Sequence, residues 1–134
     1  GLTVVPHVVV GLHFGRMRGE KRALDIIARH RTEAAILVVL MHAFADENFV
    51  AVDVQDAARL FARARTTLAD RQVLLGCARP HGAARVALDI AAVLAGFDGI
   101  AYPSDEAVRA VRLLGRAHDR ANACCGAQAC AEAA

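Results

Sequence analysis

The segment Val73–Ser104, VLLGCARPHGAARVALDIAAVLAGFDGIAYPS, decides the fold of this chain. Its first residues form a short apolar run that predicts a buried strand, and its middle has the apolar spacing of a helix. Asp98–Tyr102 then predicts a second buried strand, so the two strands are expected to be parallel. Cys77, Arg79 and His81 follow the first strand, at the edge where α/β proteins place their chemistry.

The same alternation of strand and helix extends along the rest of the chain. The predicted strands are Thr3–Val10, Ala35–Met41, Gln72–Gly76 and Asp98–Tyr102. The first is expected to begin near His7, because Pro6 is awkward in a central strand. We therefore predict an α/β fold of four consecutive βα units with parallel strands. It is like the C-terminal half of a partial TIM-type barrel, whose complete eight-unit form has about 250 residues.

Apolar spacing and end signals place the four helices. The first is predicted over about Glu20–His30, and the last begins at Ser104 as N-cap. Gly96 is a stop signal for the third helix. The second and third helices are expected to bury the stripes Val54, Ala57, Ala58, Phe61, Ala64, Leu68 and Ala84, Ala87, Leu88, Ala91, Leu94.

Composition excludes several classes of protein. With 134 residues, 56% hydrophobic and 22% charged, the chain predicts one buried core. A net charge of +2 from scattered basic residues gives no footprint for nucleic acid. The longest apolar run, Ala34–Met41, has eight residues, whereas a membrane helix needs roughly 20. Four cysteines, unevenly placed, predict no disulfide framework and a cytoplasmic location.

The chain divides into a barrel-like part, residues 1–115, and a tail, residues 116–134. Apolar periodicity is lost in the tail, which contains Cys124, Cys125 and Cys130. Thiolates suit zinc or an iron–sulfur cluster, so these three are candidate metal ligands, with thiol redox exchange and an inert tail as alternatives. Because the chain opens directly on an apolar strand, we also expect it to be a piece of a longer protein.

Three pieces of sequence resemble the C-terminal half of biotin-synthase-like radical SAM proteins. They are HVVVGLHFGRMRGE, VLLGCARPHGAAR and LAGFDGIAYPSDEAV, which match barrel strands five, seven and eight, and the resemblance extends from about Val8 to Gly115. It implies S-adenosylmethionine and a [4Fe–4S] cluster as cofactors. The C-x₃-C-x₂-C motif that binds the cluster is absent from this chain, so the resemblance implies no activity for the chain alone.

The resemblance also implies roles for particular residues. In the family, the fifth strand carries a G-x-I-x-G-x-x-E pattern that packs on adenine, which here implies adenine contact at Val9 and Gly11. Phe14 stands at the Glu position of that pattern. Biotin synthases use an arginine of the seventh strand as a ligand to a second cluster, and Leu74 stands there, so biotin synthesis is not implied.

The turns after the strands supply the remaining candidate residues. Gly11, Gly15 and Gly19 form a glycine-rich turn where backbone amides can meet an anion or cofactor. His13 and Arg16 lie in this turn, and Cys77 and Arg79 follow the third strand. These four are candidates for lining a substrate cavity. Arg79 follows a buried strand directly and must therefore meet water or an anion, whereas Cys77 has a small buried filler as its alternative.

Three hypotheses about function remain open. The first is the C-terminal portion of a radical SAM enzyme, acting on a small-molecule substrate with an N-terminal half-barrel supplied in cis or by a separate chain. The second is a small α/β anion- or nucleotide-binding module that uses the glycine-rich turn and Arg79. The third is a non-enzymatic subunit that completes a barrel with a partner or as a homodimer.

Overall fold

The computed structural model describes residues 3–41, 47–122 and 126–127 of the chain. Within these residues, four strands and four helices alternate, as the sequence predicts, and the first strand begins at His7. The elements are β1 (His7–Val10), α1 (Glu20–Ala28), β2 (Ala34–Val39), α2 (Val54–Thr67), β3 (Gln72–Leu75), α3 (Ala83–Ala95), β4 (Gly99–Ile100) and α4 (Asp105–Leu113).

The strands form one parallel sheet in the order β1-β2-β3-β4. Val8 pairs with Leu37, and Leu37 in turn pairs with Leu75. Since strands that are consecutive along the chain are neighbours in the sheet, each βα unit lies beside the previous one. This α/β arrangement confirms the predicted βα units and is compatible with a partial barrel.

One face of the sheet carries the main core. Side chains of β1, β2 and β3 pack there against the apolar stripes of α1, α2 and α3. Phe61 of α2 is fully buried, and its ring lies 5.1 Å from that of Phe97. The buried members of this core include Val8, Val10, Leu24, Leu37, Val39, Leu60, Phe61, Val73, Leu75 and Leu88.

The opposite face of the sheet, called here the open face, is also apolar. Ile36 and Leu74 form a second small cluster with Ala34, with Val5 and Val38 beside it. This cluster contains no helix residue, and the larger core has taken the stripes of α1 to α3. Among the described residues, no helix side chain therefore belongs to the open-face cluster, although Ala34 and Ile36 are fully buried within it.

The helix ends agree with their sequence signals, but the buried stripe of α3 differs from the prediction. The Ser104 side chain accepts a hydrogen bond from the Ala107 amide, and Gly96 ends α3 in the left-handed region at φ 86°. In α3, however, Leu94 is 69% exposed, whereas Asp89 is fully buried. The predicted stripe is wrong at Leu94 because the helix is turned to place this carboxylate inside.

The amino edge of the sheet is fastened by Arg71, which directly precedes β3. Its guanidinium donates to the carbonyls of Ile27 and His30 and to the Thr32 hydroxyl, at 3.1, 2.8 and 2.8 Å. It also pairs with Asp70, and this hydrogen-bonded guanidinium holds the pKa of the Asp70 carboxyl below its usual value. The end of α1 is thereby joined to the start of β3.

Within the described ranges, no helix has both the length and the apolar character that crossing a bilayer requires.

Candidate functional site at the carboxyl edge of the sheet

A tight turn follows β1 at residues 13–16. The Arg16 amide donates to the His13 carbonyl at 2.9 Å, and the two residues between them have positive φ, 52° at Phe14 and 83° at Gly15. Positive φ at both central positions is the pattern of a type I′ turn. Glycine adopts it freely, whereas a bulky residue such as Phe14 does so at a cost of about 1–3 kcal/mol.

Residues 48–50 hold this turn from the side. The Val50 amide donates to the Phe14 carbonyl at 3.0 Å, and the Arg16 guanidinium reaches the Asn48 carbonyl at 3.4 Å. A Cβ atom at Gly15 would lie 1.6 Å from the Val50 carbonyl oxygen. Only glycine fits there, and the two loops are locked together.

Glu20, the first residue of α1, fills the glycine-rich turn from within. This buried carboxylate accepts from the Gly11 amide at 2.8 Å and from the Gly19 amide at 3.0 Å. The Gly11 and Gly19 amides, which the sequence analysis expected to meet an external anion or cofactor, are thus hydrogen-bonded to the chain's own carboxylate. An acidic residue in the first turn is also common on helix surfaces, so its spacing alone did not single Glu20 out.

Arg79 meets an anion, as its position after β3 demands, and the anion is Asp89 of α3. The Arg79 Nε and Asp89 Oδ1 atoms are 2.6 Å apart, and both side chains are fully buried. The guanidinium also donates to the carbonyls of Gly76, Ala101 and Tyr102, at 2.6, 2.8 and 3.1 Å. Arg79 is therefore occupied inside the protein, where it joins β3 to the residues after β4.

The second oxygen of Asp89 extends this network to α4. Oδ2 accepts from the Ser104 amide at 2.7 Å, directly at the N-cap of that helix. Arg85 also donates to the Tyr102 carbonyl. The Arg79–Asp89 network thus joins the ends of β3 and β4 to the middle of α3 and the start of α4. The sequence analysis missed Asp89 because it placed α3 by the spacing of apolar residues. The only signal of Asp89 in the sequence is that it is a single acidic residue within this apolar pattern.

Cys77 and His81 lie on the turn that leads from β3 to α3. Both are exposed, so the small buried filler considered for Cys77 does not describe its position. The Val39 amide donates to the Ala78 carbonyl at 2.8 Å, which keeps this turn beside the end of β2. His13 and Arg16 are exposed at the end of β1. All four side chains share the carboxyl edge of the sheet, on two separate turns.

Val9 lies on the open face, half-buried, because Val8 and Val10 point into the helix-side core. The Ile36 amide of β2 and the Leu40 amide just after it donate to the carbonyls of Pro6 and Val10, so the backbone groups of Val9 face the edge away from β2. An apolar side chain at this place fits a contact with a planar base. Gly11 fits less well, because its amide is bound to Glu20 and a Cβ there would lie 2.4 Å from Val52.

The candidate metal ligands Cys124, Cys125 and Cys130 lie outside the described residues. Within residues 3–41, 47–122 and 126–127, no three His, Cys, Asp or Glu side chains are grouped so that they could hold a metal ion. The described part of the chain therefore does not fit a [4Fe–4S] cluster.

Comparison of the chain with protein-family models, curated proteins and solved structures found no match.

Removing the Glu20 carboxylate should loosen the turn after β1. We expect Glu20→Ala to lower the free energy of unfolding by about 2 kcal/mol, because the buried Gly11 amide loses its acceptor. Urea denaturation measures the change, with Glu106→Ala on the exposed start of α4 as the matched control. Added acetate should stabilise Glu20→Ala more than it stabilises the parent protein. Equal stabilities of the two variants would contradict this role of Glu20.

Breaking the Arg79–Asp89 pair should be more costly. We expect Asp89→Ala to lower the free energy of unfolding by about 3–5 kcal/mol, because it leaves a guanidinium buried without its counter-charge. The double variant Arg79→Met/Asp89→Leu should recover part of that loss, since no unpaired charge remains. Chemical denaturation of both variants beside Asp56→Ala, on the exposed start of α2, checks this. A loss from Asp89→Ala no larger than that from Asp56→Ala would contradict it.

Proposed function

We propose that this chain is the C-terminal part of a radical SAM enzyme, whose four βα units line one side of the S-adenosylmethionine and substrate cavity. The observation that carries the proposal is the open face, an apolar sheet surface with α1 to α3 packed on the other side. In a barrel, that surface is the interior. The sequence resemblance names the class of barrel.

Packing within the open face supports an interior role. A Cβ at Gly76 would lie 2.5 Å from a methyl group of Val38, and one at Gly99 would lie 3.0 Å from a methyl group of Leu74. Glycines beside large aliphatic side chains let neighbouring strands interlock across the face. Alternation of small and large residues is how small barrels fill a tapered interior.

The outer strands support the need for a further half-barrel. β1 and β4 each have a single strand neighbour among the described residues. Edges of parallel strands are normally paired or covered, because open ones invite association. Four further parallel strands between β4 and β1 would close an eight-stranded barrel. We propose that an N-terminal half-barrel supplies them, in cis or as a separate chain.

The chain's own share of the chemistry is to shape the cavity. In such an enzyme, S-adenosylmethionine cleaved by one electron from the cluster would supply the 5′-deoxyadenosyl radical that abstracts hydrogen from a substrate. Val9 would pack against the adenine from the open face. His13, Arg16 and Cys77, at the carboxyl edge, would border the substrate. The cluster ligands would belong to the N-terminal half, as the resemblance implies.

The anion-binding module is less well supported. Its two anion-holding features are occupied by internal carboxylates, the glycine-rich turn by Glu20 and Arg79 by Asp89. An external anion would have to displace a buried charge at either place. The radical SAM proposal requires neither displacement.

The complete reading frame that encodes this chain provides the test. Its product, reconstituted anaerobically with iron and sulfide, should form 5′-deoxyadenosine from S-adenosylmethionine and dithionite, measured by mass spectrometry. Val9→Glu should raise the KM for S-adenosylmethionine by about tenfold or more, because a carboxylate would replace an apolar contact. Ile26→Glu, on the exposed side of α1, is the matched control and should leave KM unchanged.

Two results would overturn the proposal. One is a reading frame that lacks a C-x₃-C-x₂-C motif, together with the finding that no chain carrying this motif co-purifies with its product. The other is a cluster-loaded protein that forms no 5′-deoxyadenosine. A homodimer of the chain alone, seen by sedimentation, would instead favour the non-enzymatic barrel.

A further inference from the structure

Two strained aromatic residues mark the carboxyl edge of the sheet. Among the described residues, Phe14 and Tyr102 are the two non-glycine residues with positive φ, at 52° and 49°. Both side chains are exposed, by 43% and 79%. They follow β1 and β4, the two outer strands of the sheet.

An exposed aromatic ring in the left-handed region has no evident structural benefit. Glycine or asparagine would adopt the same backbone with less strain. Phe14 also belongs to neither apolar cluster of the described residues, although more than half of its surface is covered. Strained residues of this kind concentrate at binding and catalytic sites. The ring of Phe14 therefore points to a contact with a ligand.

The turn around Phe14 places an imidazole and a guanidinium together. His13 and Arg16 form an isolated antiparallel bridge. Residues paired in this way carry their side chains on the same face. The His13 ring also meets the Phe14 ring edge-on, with centroids 5.4 Å apart. An imidazole, a guanidinium and an aromatic ring thus share one small turn.

This turn is rigid before any ligand binds. Glu20 binds the amides of Gly11 and Gly19, which flank the turn on either side, and the Val50 amide donates to the Phe14 carbonyl. Within the described chain, the Arg16 guanidinium donates a single hydrogen bond, of 3.4 Å, out of the five that it can make. Donors held on a rigid turn lose little entropy on binding, and a guanidinium fits a carboxylate or phosphate with two parallel hydrogen bonds.

We propose that the turn His13–Arg16 binds the anionic group of a substrate with an apolar, ring-sized body. Arg16 and His13 hold the carboxylate or phosphate, and Phe14 contacts the body. The assignment of this molecule as the substrate rests on the proposed function, whereas its binding to the turn does not. The substrate class is therefore an organic anion, and neither a neutral nor a cationic molecule.

Nuclear magnetic resonance on the protein without S-adenosylmethionine tests this binding directly. Benzoate and phenyl phosphate serve as probes, and acetate and benzyl alcohol carry the anionic group and the ring alone. At least one of the first pair should shift the signals of His13, Phe14 and Arg16 saturably, with a Kd about tenfold lower than for acetate or benzyl alcohol. The stronger of the two probes identifies carboxylate or phosphate as the preferred group.

Variants separate a ligand contact from a structural role. Arg16→Gln and His13→Gln should each weaken binding of the stronger probe, while Arg22→Gln, an exposed cation on α1, should not. Phe14→Gly should weaken binding and leave the protein as stable as before or more so, because the strain is relieved. This combination of lost binding and retained stability is expected only of a residue kept for a ligand.

Several results would overturn the proposal. The first is the absence of saturable shifts with both probes, and the second is equal binding by the Arg16→Gln and Arg22→Gln variants. A third is a Phe14→Gly protein that is less stable and binds normally, since the ring would then be structural. Loss of 5′-deoxyadenosine formation bears on the radical SAM proposal alone, because probe binding is measured without cofactor.

Discussion

The buried ion pair between Arg79 and Asp89 is the interaction on which the second half of the fold depends. β4 has only two residues, Gly99 and Ile100, and such a strand has few ladder hydrogen bonds to hold it. The guanidinium compensates by binding the carbonyls that follow β4, while Asp89 binds the amide that begins α4. A charged pair costs free energy to bury, but here its remaining donors and acceptors are satisfied by the backbone.

Satisfied polar groups are a general property of this edge of the sheet. Among the described residues, every buried side-chain nitrogen and oxygen has a hydrogen-bond partner. Glu20 provides for the turn after β1 what the Arg79–Asp89 pair provides for the turns after β3 and β4. The carboxyl edge is therefore preformed, and the exposed side chains of His13, Arg16, Cys77 and His81 stand on a fixed frame. Fixed frames of this kind are what binding sites require.

Much of the fold could be predicted from the sequence, because strand and helix periods differ and the chain keeps them separate. Strand order followed from short consecutive units, and the ends of α3 and α4 followed from Gly96 and Ser104. Leu94 was misplaced because periodicity counts apolar residues and cannot foresee that a carboxylate takes a place in the core. The burial of Asp89 is explained by its ion pair with Arg79, which forms only once β3 and α3 pack together.

The candidate site was less accessible to sequence reasoning, for a different physical reason. The positions of His13, Arg16 and Cys77 at the carboxyl edge were foreseeable from where the strands end. The engagement of Gly11 by Glu20 was not, since a hydrogen bond between a loop amide and a helix carboxylate depends on the path of the loop. The left-handed conformation of Phe14 could not be predicted either, because residue preferences argue against it.

Local preference and observed structure agree along most of this chain, and disagreement at a few places is what a functional protein is expected to show. At Asp89 the disagreement is resolved inside the protein, because the carboxylate has a buried partner. At Phe14 it is not, because the ring is exposed and the strained backbone is held by Gly15 and Val50. Backbone strain at Phe14 that no contact within the described protein offsets is best explained by a bound molecule that the ring contacts.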